Sequence, residues 1–224
     1  MLIVEDFDGE LFDSKAGFDQ WDRTRPHRHQ PAVICFLTMR LNDSIPASVV
    51  QRWHRERIEF LRLHGVEVER DWKVAFLELS REDRKKFDKH FSRQRETTLD
   101  HCLGACELAN QIAAQEVAKS LAKFHRDRYW MGDFVIMPNH VHCLVAFQTN
   151  EIAKTQPGGW MRYSARQINK LTGRTGVLWF PEPFDHLVRS PEQLEYLRSY
   201  IRDNPKKAKL SEGSFVYRSS GGRF

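Results

Sequence analysis

The chain has no long apolar run. Nowhere in its 224 residues does a stretch approach the ~18 consecutive hydrophobic residues of a membrane-spanning helix. Met1 to Glu10 carries acids where a secretory leader would need a basic start and an apolar core. A soluble, cytoplasmic protein with no membrane partner is the expectation. Cysteine is scarce too: Cys35, Cys102, Cys106 and Cys143 show no regular framework, and a reducing compartment would keep them as thiols. Low-complexity tracts and internal repeats are missing. The 41% apolar fraction that is present suffices for one domain with excursions.

Positive charge is regional. Residues 1–150 hold 22 Lys and Arg against 23 Asp and Glu, whereas residues 160–210 hold 10 against 5. A local excess of that size, with an isoelectric point near 9.1, suits a phosphate backbone better than a small metabolite.

Residues 1–31 read as a polar, irregular arm, in which His27 and His29, set between prolines, are expected to be solvated. Ala32 to Met39 reads as a buried strand, and Ser44-Ile45-Pro46 opens an amphipathic helix through about Arg62. A charged helical insertion is expected over about 65–108, without a strong apolar period and with its charges on a solvated face. Within it, His101-Cys102-x-x-x-Cys106 lacks the second ligand pair that structural zinc requires, and reads as a packed helix entrance. Ile112 to Phe124 reads as a helix, with Ile112 among its apolar positions. Strands follow at about Asp133–Met137 and His140–Phe147.

The last of these strands contains His140-Val141-His142. Side chains alternate across a strand, so both imidazoles share one face with Leu144 and Ala146, while Val141, Cys143, Val145 and Phe147 take the other. Two neutral imidazoles on one face are half of a metal site, or else a hydrogen-bonded pair in a half-buried strand.

After an expected turn at Gln156-Pro157-Gly158-Gly159, a helix is predicted over Trp160 to Leu171, ended by Gly173. Arg162, Arg166 and Lys170 repeat on it one turn apart, a spacing that can track phosphates. Leu178–Phe180 and Phe184–Arg189 read as extended. Ser190, Pro191 and Gln193 form a sharp helix start, and Pro205 is expected to stop that helix and push Asn204 out of helical angles. Leu194, Leu197 and Ile201 are its buried stripe. Tyr196, Tyr200 and Asn204 lie successively one turn apart beside it, so Tyr200 and Asn204 can address one point.

Together, His140-Val141-His142, Trp160 to Gly173, Phe184 to Arg189 and Tyr200-Ile201-x-x-Asn204-Pro205-x-x-Ala208 resemble the REP-associated tyrosine transposases, single-tyrosine members of the HUH endonuclease superfamily. The resemblance covers roughly residues 32–218, leaving residues 219–224 as a tail; the charged segment departs from compact members. It implies an α+β fold, a ferredoxin-like antiparallel sheet with helices packed on it, and a nuclease acting on single-stranded or hairpin DNA. It also implies a divalent ion, Mg²⁺ or Mn²⁺, on His140 and His142, with Tyr200 as nucleophile and Asn204 as third ligand. The expected DNA contacts are Arg162, Arg166, Lys170, Arg174, His186, Arg189, Arg198, Arg202, Lys206 and Lys207. Monomer and homodimer both fit.

The chemistry stands apart from the family name. Two imidazoles and an amide oxygen leave positions open on a hard cation for phosphate and water. Attack by Tyr200 would leave a 5′-phosphotyrosyl link and a free 3′-OH, a reversible exchange that needs no ATP. A phenol with an ordinary pKa of ~10 needs help as a nucleophile at neutral pH. Competing readings are weaker. A histidine-triad hydrolase would need a histidine where Leu144 stands, and a barrel zinc hydrolase usually needs about 250 residues. The remaining alternative is a DNA-hairpin-binding protein of the same fold that does not cleave.

Overall fold

The computed structural model describes residues 9–22, 26–69 and 71–220. The expectations for residues 1–8, for Arg23-Thr24-Arg25 and for most of the tail lie outside these. In chain order the elements are β1 (Asp19–Asp22), β2 (Pro26–His29), β3 (Ile34–Arg40), α1 (Ala47–Leu63), α2 (Trp72–Phe76) and α3 (Arg81–Asp100). There follow α4 (Gln111–Ala122), β4 (Tyr129–Ile136), β5 (His140–Phe147), α5 (Asn150–Thr172), β6 (Phe184–Leu187), α6 (Pro191–Lys207) and β7 (Val216–Arg218). They fall into two compact units, one of residues 1–42 and 105–224, the other of residues 43–104.

The first unit is α+β. β1 and β2 pair as a two-stranded sheet, and the other five strands stand in the order β6-β3-β5-β4-β7, every neighbour antiparallel. Followed along the chain, β3, α4, β4, β5, α5 and β6 make a βαββαβ unit, the ferredoxin-like arrangement. Alternation along β3 and β5 splits the core into two layers. Cys35, Leu37 and Met39 join Val141, Cys143, Val145 and Phe147 against α4 and α5, where Val117, Leu121, Trp160 and Ile168 pack. Ile34, Phe36, Leu144 and Ala146 face the opposite side and are covered by Leu194, Leu197, Tyr200 and Ile201 of α6. Both sheet faces are therefore buried, which is why β5 has no exposed position.

The expected turn at 156–159 is corrected: α5 runs unbroken through Gln156-Pro157-Gly158-Gly159. A proline inside a helix costs ~3 kcal/mol. It is tolerated here because Gln156, Pro157 and Trp160 are buried against the sheet and because the helix begins earlier, where Thr149 Oγ1 accepts from the Ile152 N–H at 3.2 Å. The expected start of α6 is found: Ser190 Oγ accepts from Gln193 N at 3.2 Å, and Gln193 Oε1 accepts from Arg189 N at 2.8 Å. Its expected stop is not. α6 continues past Pro205 to Lys207, and Asn204 is helical. Burial of Asn204 and Pro205 holds the last turn in place although Ile201 has lost its usual N–H donor.

His27 and His29 are likewise corrected. Both are buried on β2 instead of solvated. His27 Nδ1 meets Asp185, its Nε2 meets Glu182 at 2.9 Å, and His29 Nδ1 meets Asn150 Oδ1 at 2.7 Å. The partners come from more than 100 residues away, where no local pattern reveals them. Hydrogen bonding to Asp185, opposed by burial, raises the His27 pKa above its usual 6.5. The stability that His27 adds is thus fully present below about pH 6.5 and is lost as pH rises through the higher folded-state value. An NMR titration should place the His27 transition above 6.5; a transition at or below that value would contradict the pairing.

The second unit buries Leu61 of α1, Ala75 of α2, and Phe87 and Phe91 of α3, with Phe60 and Trp72 beside them. The segment expected to lack a strong apolar period nevertheless buries Phe87 and Phe91, one turn apart on α3, in this cluster, while Leu99 packs separately with Ile45 and Trp53. The unit also starts earlier than the insertion expected over 65–108, at Asp43, and takes in α1. Ile112, one of the apolar positions read for its helix, is 61% exposed on α4.

Candidate active site

β5 lies between β3 and β4, and its register sets Arg40 opposite His140 and Thr38 opposite His142. The two imidazoles emerge on the α6 side of the sheet, with ring centroids 4.6 Å apart and ring planes at 72°. His140 Nδ1 lies 2.7 Å from Asn139 Oδ1. An amide oxygen only accepts, so Nδ1 carries the proton and Nε2 keeps its lone pair. His142 Nδ1 lies 2.8 Å from Thr38 Oγ1, a hydroxyl that can donate or accept, so this contact orients the ring without choosing its tautomer. Phe36 stacks on His142 at 5.2 Å, and Tyr200 of α6 approaches His142 edge-on at 5.3 Å. Asn204, one turn further along α6, is fully buried.

Burial depresses the His140 pKa to about 3, against a smaller opposing push from the nearby Asn204 amide. That amide favours the protonated ring from close by without forming a hydrogen bond of regular geometry, because His140 Nε2 is buried and has no hydrogen-bond partner. His140 is therefore neutral at physiological pH. Two imidazoles hydrogen-bonded at Nδ1, with a buried amide beside them, fit the ligand chemistry of a divalent ion: the Asn139 oxygen leaves His140 Nε2 as a lone pair to coordinate, and His142 Nε2 is one when its Nδ1–H donates to the Thr38 hydroxyl. Among the described residues no three His, Cys, Asp or Glu side chains cluster as ligands, so such a site would rest on two imidazoles plus the Asn204 amide.

The expected DNA contacts divide into groups. Lys207 places its Nζ 4.5 Å from the Tyr200 ring centroid, closer to the chemistry than a backbone contact requires. His186 sits across from Phe36, with its ring at 5.3 Å, and so shares the face of His142. Arg198 is tied to the buried Asp133 at 3.5 Å and to Ser220 at 3.2 Å, and Arg174 to Glu107 at 2.9 Å; both brace the fold. Arg202, which pairs with Asp203, and Lys206 are exposed on α6, while Arg189 lies exposed beside Phe12. Arg162, Arg166 and Lys170 are exposed on α5, in the layer on the other side of the sheet from His140 and Tyr200. The structure does not bring that stripe to the site. Of the two tyrosines one turn apart, Tyr196 is 63% exposed and Tyr200 only 7%.

Comparison with known proteins gives little. No family model matches the chain, and no curated protein matches it. A solved structure of a REP-associated tyrosine transposase bound to a REP hairpin aligns over 82% of this chain and 72% of that one, at 14% identity and a TM-score of 0.40. The likeness is distant. It assigns no role to any residue here, and the site has to be argued from its own geometry.

Four residues of the site escape sequence reasoning: Phe36, Thr38, Arg40 and Asn139. Asn139 directly precedes His140 and could have been suspected. The other three lie on β3, and only the strand register reveals them.

Proposed function

We propose that this chain cleaves and rejoins single-stranded DNA near hairpins, with Tyr200 as the attacking group. One observation carries the reading: Tyr200 and Asn204, from one helix, meet the paired imidazoles of His140 and His142, from one strand, in a single buried cluster. A Mg²⁺ or Mn²⁺ ion held by His140, His142 and Asn204 would supply Lewis-acid polarisation of the phosphate oxygens. The remaining work belongs to the protein. Asn139 holds His140 in one tautomer, and Thr38 orients the His142 ring. Tyr200 Oη attacks phosphorus, a 5′-phosphotyrosyl bond replaces the phosphodiester, and the 3′-OH leaves. Attack by a 3′-OH on that bond reverses the step, so cleavage and joining share one site. The Lys207 ammonium over the Tyr200 ring favours the negative charge that develops on the phenol oxygen. Hairpin preference enters through the sequence resemblance.

A second reading has an observation in its favour. The Tyr200 hydroxyl and His140 Nε2 are shielded from solvent, so a phosphodiester reaches them only after part of α6 moves off the sheet. A protein that binds hairpin DNA without cutting it would need no such opening. Incubation with single-stranded oligonucleotides carrying a hairpin, with and without Mg²⁺ or Mn²⁺, separates the two. Metal-dependent nicks with a 3′-OH and a protein-linked 5′ end support transfer; tight binding without nicks supports the alternative.

The cations of α5 provide a further prediction. Changing Arg162, Arg166 and Lys170 together to Gln should weaken single-strand binding and flatten its salt dependence by up to ~0.7 in log–log slope per lost phosphate contact. An unchanged slope with intact binding would remove α5 from the DNA surface.

A further inference from the structure

The α5 stripe and the tyrosine site lie in opposite layers, and a groove on the α5 side begins at Arg162, the first cation of the stripe. It has a volume of about 430 Å³ and runs between α5 and the return segment 176–181. That volume falls within the range of ligand clefts, about 300–1,000 Å³. Met161 and Val177 line it together with Trp179 and Phe180, and Arg162 supplies its charge together with Lys154, which pairs with Asp19 at 3.8 Å. The walls are fixed. Trp179 Nε1 donates to Ser164 Oγ at 3.0 Å, and the return segment is stitched to the end of β3 by Asn42 N to Leu178 O and Phe180 N to Arg40 O, both at 2.9 Å. Arg162 folds back over Gly158, where a Cβ would come within 2.9 Å of its Nη1, so the guanidinium lies along the groove. It makes no ion pair among the described residues.

At one end of the groove Phe180 meets Arg40, a residue of the strand beside His140. Phe180 lines the groove, and the Arg40 guanidinium lies 3.6 Å from the Phe180 ring centroid. Arg40 shares the sheet face of Thr38 and stands directly opposite His140 in register.

We infer that this groove takes an unpaired nucleotide of single-stranded DNA. The base lies against the apolar and aromatic walls, its phosphate lies on Arg162, and the strand passes over Phe180 and Arg40 around the sheet end toward Tyr200. Flat apolar walls beside cations are the chemistry of single-strand binding, where a base stacks and the backbone is neutralised. The inference rests on the DNA reading above and extends it by naming where the strand lies. It also gives Arg162, though not Arg166 or Lys170, a part in serving a site on the other side of the sheet.

The test is a binding titration of the full chain with a fluorescein-labelled oligonucleotide carrying a hairpin and a single-stranded flank, intact or with a single abasic site at each flank position in turn. Val177 is 66% exposed, so Val177→Glu places a carboxylate at the groove without disturbing the core. The variant should bind the intact strand at least about tenfold more weakly. One abasic position should weaken the wild type but cost the variant nothing further, as expected when both changes remove the same contact. Normal affinity in a variant with wild-type circular dichroism overturns the groove. If wild type binds and nicks the strand and Val177→Glu does so equally, the groove fails alone. If wild type binds no single-stranded DNA, the functional reading fails and takes the groove with it. Cross-linking of wild type with 4-thiothymidine keeps the test open should the variant not fold: adducts should map to residues 154–165 or 176–181, and adducts confined elsewhere contradict the proposal.

Discussion

Tyr200→Phe should abolish the covalent protein–DNA adduct while leaving the fold and DNA affinity nearly unchanged. The ring, 7% exposed, packs against Phe36 at 6.0 Å and His142 at 5.3 Å, and phenylalanine keeps that packing. Only the hydroxyl is removed, at a stability cost of about 1 kcal/mol. Strand cleavage should fall by ~10³-fold or more, since removing an enzyme's nucleophile leaves only what the rest of the site can do. Tyr196→Phe is the matched control. It alters an exposed phenol on the same helix and should still form the adduct. Equal adduct yields from Tyr200→Phe and wild type would discard the assignment.

His140→Ala should reduce metal-supported cleavage at least ~100-fold, the upper range for losing even an outer-shell partner of a metal site, while hairpin binding largely survives. The imidazole is fully buried between Asn139 and Asn204, and the cations placed to meet DNA lie on α5 and α6. The substitution also leaves a cavity worth ~2–4 kcal/mol, so urea unfolding must accompany the rate measurement. A readout independent of activity is the thermal shift with Mn²⁺: wild type should melt higher as the ion is added, and the variant should not respond. Cleavage by His140→Ala at the parental rate in Mg²⁺ or Mn²⁺ would refute the ligand role.

Features with short-range causes were legible in the sequence. The alternation of β5, the shared face of His140 and His142, and the capping of α6 by Ser190 each depend on residues a few positions apart, and the ferredoxin-like layout follows from the sequence resemblance. What was hidden depends on distant partners. Pro157 reads as a breaker until Trp160 is seen buried on the sheet, and Pro205 reads as a stop until Asn204 is seen enclosed beneath α6. His27 looks solvated until Asp185 and Glu182 arrive beside it. The same holds within the site. Histidine spacing marks His140 and His142 and the sequence resemblance marks Tyr200 and Asn204, but only the register of β3 against β5 brings in Thr38 and Arg40. The α5 stripe carries the opposite lesson: its spacing was real, and its layer could not be read from spacing.

Mapping the DNA-linked peptide tests the central claim most directly. Wild type would be trapped on a suicide oligonucleotide, digested with protease and nuclease, and the modified peptide sequenced by mass spectrometry. The account predicts a single phosphotyrosyl site at Tyr200. A nucleotide remnant on Tyr196, or metal-dependent nicking with no protein adduct at all, would contradict it.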